Sequence, residues 1–106
     1  MAKVRLRWTS WAFKDLSRLY EYWETHAVGN RGELLAEIRQ RIGDLERFPE
    51  MGPEVPEIAT LNLNQYRELI VSRYRIVYRY YADEILIYGV LDQSQSVLKN
   101  LMDRLS

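Results

Sequence analysis

The chain has 106 residues, 47% hydrophobic and 28% charged, which is the size of one compact domain and the balance of a chain that folds. With no Cys and a single His, His26, it excludes a disulfide framework, a thiol nucleophile, a Cys-ligated zinc and a His-rich metal site, so neither metal nor cofactor is expected. The fifteen Lys and Arg cancel the fifteen Asp and Glu overall, and that zero net charge argues against diffuse polyanion binding. By segment the balance is uneven: +3 over residues 1–8, −1 over 9–48, −3 over 49–65 and +1 over 66–91. A local basic stripe therefore remains available to a phosphate backbone or an acidic partner. The longest nearly continuous apolar run, residues 85–91, is far shorter than the roughly 20 residues that span a bilayer. No hydrophobic signal core opens the sequence, so a cytoplasmic location and no membrane partner are expected.

In chain order, Lys3-Val4-Arg5-Leu6-Arg7-Trp8 alternates strictly between cations and apolar residues, the pattern of a half-buried strand. Thr9 or Ser10 can then cap a helix whose stripe is Trp11, Ala12, Leu16, Leu19, Tyr20 and Trp23, running to about His26. Gly29-Asn30 breaks it, and Asn30 with Glu33 forms a capping box for a second helix striped by Leu34, Leu35, Ile38, Ile42 and Leu45. The short link implies an antiparallel helical hairpin. Phe48-Pro49 ends the second helix, and Pro49, Gly52, Pro53 and Pro56 keep the next stretch irregular. That stretch is acidic, with Glu50, Glu54 and Glu57 unopposed. The period then changes to two over 66–71, 74–81 and 84–91, three strands joined by the short links Ser72-Arg73 and Ala82-Asp83 as an antiparallel meander. Asp92 with Gln95 makes another capping box, and Val97, Leu98, Leu101 and Leu105 mark a closing helix. The layout is α+β: one domain over residues 1–106 in which a helical hairpin covers one face of a mainly antiparallel sheet, with the last helix free to cap the other.

The stretch RELIVSRYRIVYRY, residues 67–80, together with LERFPEMG at 45–52 and the first helix from Trp11 to Tyr22, resembles the RelE/ParE superfamily of toxins from bacterial type II toxin-antitoxin pairs. The resemblance covers nearly the whole chain. It implies a small cytoplasmic toxin neutralised by a cognate antitoxin, of the kind found in plasmid stabilisation, and one of two activities on one fold. ParE-type members poison DNA gyrase, and RelE-type members cut mRNA on the ribosome. Metal-free RNA cleavage needs a group to take the 2′-hydroxyl proton, cations for the phosphate and an acid for the leaving oxygen. Matched to the RelE pattern, Arg75 takes the Tyr-Arg cation position and Arg67 falls near a Lys position, but the second Lys position is Leu69. The nucleases carry an Arg and then a Tyr or His after the last strand, where this chain reads Asp92-Gln93-Ser94-Gln95-Ser96-Val97-Leu98. Glu68 stands where some relatives place a base, without the His-Tyr pair that follows it in them. The catalytic set is thus confined to Arg75, Arg67 and Glu68 if the chain is RelE-like, and its incompleteness favours the ParE side. The alternatives are a ribosome-dependent nuclease or a diverged, non-toxic antitoxin binder, since the basic residues common near the C-terminus of ParE-type members are also absent. The residues expected to meet a target or partner are Arg67, Arg75, Arg79, Leu98, Leu101 and Leu105.

Plainer roles stand beside these. A two-residue Ser72-Arg73 turn places Val71 opposite Tyr74, Ile70 opposite Arg75 and Glu68 opposite Val77, so Arg75 and Arg79 are both diagonal to Glu68 and can form a cross-strand charge cluster with it. Arg67 shares the more apolar face with Leu69, Tyr74, Ile76 and Tyr78, where its stem either packs with the head snorkelling out or lines a recess. His26 suits a helix C-terminus. Trp8, Trp11 and Trp23 coincide with buried stripes and are expected in the core.

Overall fold

A computed structural model describes residues 4–26, 31–61 and 65–105. Strand β1 (Arg5–Trp8) leads into helix α1 (Ser10–His26), and α2 is Arg31–Asp44. A one-turn helix α3 (Pro56–Ala59) precedes strands β2 (Tyr66–Val71), β3 (Tyr74–Tyr81) and β4 (Glu84–Asp92), and α4 (Val97–Leu105) closes the chain. The sheet order is β1-β4-β3-β2, with β1 parallel to β4 and the rest an antiparallel meander. The Val71–Tyr74, Ile70–Arg75 and Glu68–Val77 pairs hold as expected. Both hairpin links enter the left-handed region, at Ser72 (φ 55°) and at Ala82 and Asp83 (φ 51° and 59°), which matches the twist of the strands they join.

The sheet separates two cores. One side packs Ala12, Trp23, Ile38, Ile42 and Leu45 from the α1 and α2 regions against Leu69, Ile76, Tyr78, Ile85 and Ile87. The other packs Val55, Ile58, Val97 and Leu101 against Tyr66, Val77, Tyr88 and Leu91, so α3 and α4 cover the second face. A bulge at Val77/Tyr78 leaves Tyr88 as the extra residue of β4, which keeps Val90 on the first side and Leu91 on the second.

Several local expectations need correction. Trp11 is 42% exposed because it stands about 100° around α1 from Ala12, off the stripe that meets the sheet; Trp8 is half-buried and Trp23 fully buried, as expected. Helix α2 ends at Asp44, and turns such as Phe48 N–H to Asp44 C=O carry the chain to Phe48. The stretch after Pro49 contains α3, since Pro56 sits in its first turn, where a missing N–H costs nothing. Asp92 caps a turn rather than α4: its carboxylate accepts from Ser94 N–H, and its own N–H donates to Gln95 Oε1. The cap of α4 is Ser96, whose Oγ accepts from Lys99 N–H. Thr9 caps α1, accepting from Ala12 N–H at 3.1 Å. The link at Gly29-Asn30 and the Asn30 box fall outside the described residues, as do the side chains of His26 and Leu105.

Candidate functional site

The segment after α2 folds along the outer edge of β2. Glu54 bridges Arg67, Val55 N–H donates to Tyr66 C=O, and Glu68 N–H donates to Pro53 C=O, covering a strand edge that would otherwise be open. Gly52 permits this approach: a Cβ there would lie 2.4 Å from the Glu68 carbonyl oxygen. On the helical side, Arg67 Nη1 donates to the carbonyls of Gly52 (2.7 Å) and Glu50 (3.2 Å). Tyr78 Oη donates to Pro49 C=O and accepts from Gly52 N–H, and burial pushes that phenol's pKa up. Arg67 therefore holds a turn, with its Nη1 bound to two backbone carbonyls.

On the opposite face Arg75 lies between two carboxylates. Its Nε and Nη2 donate to Glu68 at 2.6 and 2.8 Å, and its Nη1 and Nη2 donate to Glu57 at 2.6 and 2.8 Å. The Arg75 side chain is 15% exposed and that of Glu68 5%. The hydrogen bonds that Arg75 donates to Glu57, then those to Glu68, raise the Arg75 pKa, and the bond accepted from Arg75 lowers that of Glu57. One cation thus meets two anions, and the cluster carries a net negative charge. Glu57, read as unopposed in sequence, is the partner that local pattern could not supply, because its approach depends on α3.

Arg79 does not join the cluster. Its guanidinium lies over the Tyr88 ring, 5.9 Å from the centroid, and its buried Nε meets no acceptor among the described residues. Tyr66, opposite Arg79 in register, sets its ring edge-on to Tyr88 at 5.5 Å. Of the α4 candidates, Leu101 is fully buried and Leu98 is 40% exposed beside Met102 at 49%.

A further group, unseen in sequence, fixes α4. Strand β1 ends at Trp8, so the outer edge of β4 loses its neighbour beyond Ile87. There Asp15 Oδ2 accepts from Val90 N–H, and Arg104 Nη1 donates to Tyr88 C=O. The two side chains form a bidentate pair at 2.7 and 3.0 Å, with 7% and 9% exposure. Gly89 leaves room for them, since a Cβ there would sit 2.5 Å from Arg104 Nη1. The available signal was a carboxylate on the apolar stripe of one helix and a guanidinium on that of another.

No group of His, Cys, Asp and Glu suited to a metal occurs among the described residues, and no helix among them is long and apolar enough to cross a membrane. Comparison with known proteins places these features in context. The family model for the ParE toxin of the type II toxin-antitoxin system parDE matches residues 6–97. A solved structure, the chromosomal ParDE toxin-antitoxin system from P. aeruginosa, aligns with a TM-score of 0.64 and 21% identity, covering 85% of this chain and 96% of that one. Among curated proteins none matches.

Proposed function

The chain belongs to the family of ParE toxins of type II toxin-antitoxin systems, and on that premise we propose that it disables DNA gyrase by protein contact and is held in check by a cognate antitoxin. The observation that carries this reading is the closed Glu57–Arg75–Glu68 cluster. Both oxygens of Glu68 accept from Arg75, so the one candidate base is engaged and the one matched cation is neutralised. A metal-free nuclease needs both groups free, together with an acid that the stretch 92–98 does not supply.

A contact inhibitor needs instead an apolar patch with a charged rim. Leu98 and Met102 expose an apolar strip on α4, and Arg79 faces the same side of the sheet, over Tyr88. We assign the target surface to these three, with Leu105 extending the helix beyond them. Arg67 and Arg75 support the scaffold beneath, and Leu101 anchors the helix. An antitoxin segment that folds along this surface would bury it and block the target. The reading as a non-toxic antitoxin binder is favoured by one observation: Arg104 is spent on Asp15, which leaves Lys99 as the exposed cation of α4.

Induction in cells should give filaments and DNA-damage signalling, while primer extension on ribosome-bound message shows no cuts in codon register. Such cuts, if abolished by Arg75→Ala, would move the chain to the nuclease side.

A further inference from the structure

Of the three arginines on β2 and β3 that face the interior or the covered sheet, two donate to oxygen acceptors of the fold. Arg67 is held by carbonyls and Arg75 by two carboxylates. Arg79 stands half-buried with its Nε unmatched. The sheet carboxylates near it are committed elsewhere: Glu68, diagonal to it, is bound by Arg75, and Glu84 pairs with Arg7 at 3.6 Å. Tyr88 supplies its ring face and Tyr66 a neutral phenol within side-chain hydrogen-bonding reach; together they offset part of the desolvation that a guanidinium meets there, and neither brings a countercharge.

We infer that Arg79 is an anchor for a single carboxylate, an Asp or Glu side chain of the antitoxin, which docks on the guanidinium beside Tyr88 and Tyr66. This rests on the toxin-antitoxin reading above and names the chemistry of the contact. A planar guanidinium braced by an aromatic ring presents a fork that matches a carboxylate in two parallel bonds. Tyr81, two residues along the same strand and 67% exposed, gives apolar cover for the residues flanking that acid. A nucleic-acid backbone fits less well. It carries phosphates in series, whereas Arg79 is one cation beside a net-negative Glu57–Arg75–Glu68 cluster.

The test is calorimetric titration of the chain with the product of the adjoining reading frame, for wild type, Arg79→Lys, Arg79→Met and Arg79→Glu, with a thermal melt of each free chain. Arg79→Met should weaken binding by about thirtyfold or more, Arg79→Glu further and Arg79→Lys less. The free Arg79→Met chain should melt at or above the wild-type temperature, because the substitution removes an unmatched buried donor. Restoration of Arg79→Glu binding by one Asp or Glu→Arg change in the partner would identify the carboxylate. Wild-type affinity in Arg79→Met would overturn the inference, and a drop of many degrees in its melt would make Arg79 structural instead. A short DNA duplex that binds wild type and not Arg79→Met would reassign the site to phosphate. Failure of the wild-type chain to bind the product at all would overturn the toxin-antitoxin reading, and the anchor with it.

Discussion

At the scale of single residues, the positions that fix this molecule are charged side chains used as substitutes for backbone. Asp15 and Arg104 complete the edge of β4 where β1 stops. A pair so buried contributes little beyond what an apolar pair would, but removing one partner strands the other. Asp15→Ala should therefore cost about 3–5 kcal/mol in urea denaturation, and adding Arg104→Met should recover much of that loss. Simple additivity of the two single changes would show that the pair is not coupled. Glu57 gives a pH-dependent counterpart. Its pKa in the folded chain is held below the ordinary 4.5, chiefly by the hydrogen bond from Arg75. Its contribution is therefore full above pH 4.5 and is lost as pH falls through the depressed value. Glu57→Gln should leave a shallower acid limb in a pH-stability curve below pH 4.5; an unchanged limb would mean that the pairing contributes nothing there. The Glu68–Arg75 half of this cluster was legible from strand register alone. Glu57 and the Asp15–Arg104 pair were not, because each meets its partner only after separate elements have docked.

Among the elements, the meander was legible because a period of two and two short links fix the strand order and the β2–β3 register, whereas the bulge that shifts β3 against β4 at Val77/Tyr78 leaves no mark in that period. The segment between α2 and β2 was misread as irregular throughout, since prolines that bar a long helix still allow the single turn of α3. The closing helix divides in the same way. Its apolar stripe was legible, yet which stripe residues face the sheet depends on where Arg104 ties it down. Val97 and Leu101 are buried and Leu98 is not. Deleting residues 93–106 would expose the core of Val55, Ile58, Tyr66, Val77 and Leu91 and strand Asp15. The truncated chain is expected to lose its native circular dichroism signal, whereas Leu98→Ser should leave that signal intact and weaken target inhibition. A truncated chain that stays folded would show that α4 is an appendage and not a lid on its own sheet.

For the whole molecule, the charge tally by segment exaggerates the surface field. The part of the acidic stretch from Pro49 to Glu57 lies along β2, where its carbonyls take Arg67 and its Glu57 takes Arg75 of β3. Arg75 is neutralised within the fold, Arg67 is held by carbonyls, and the exposed Arg7 and Arg73 pair with Glu84 and Asp92; beside them the surface offers Arg79, the α4 strip and exposed aromatics such as Phe13 and Tyr81. Such a surface suits a protein partner better than a phosphate backbone. The central claim is therefore that the chain acts on gyrase by contact. Its most direct test is a supercoiling reaction with purified gyrase and relaxed plasmid, titrated with the purified chain. Loss of supercoiled product with accumulation of cleaved DNA at micromolar chain, relieved by the antitoxin, is the expected result; supercoiling that proceeds unchanged at those concentrations would contradict it.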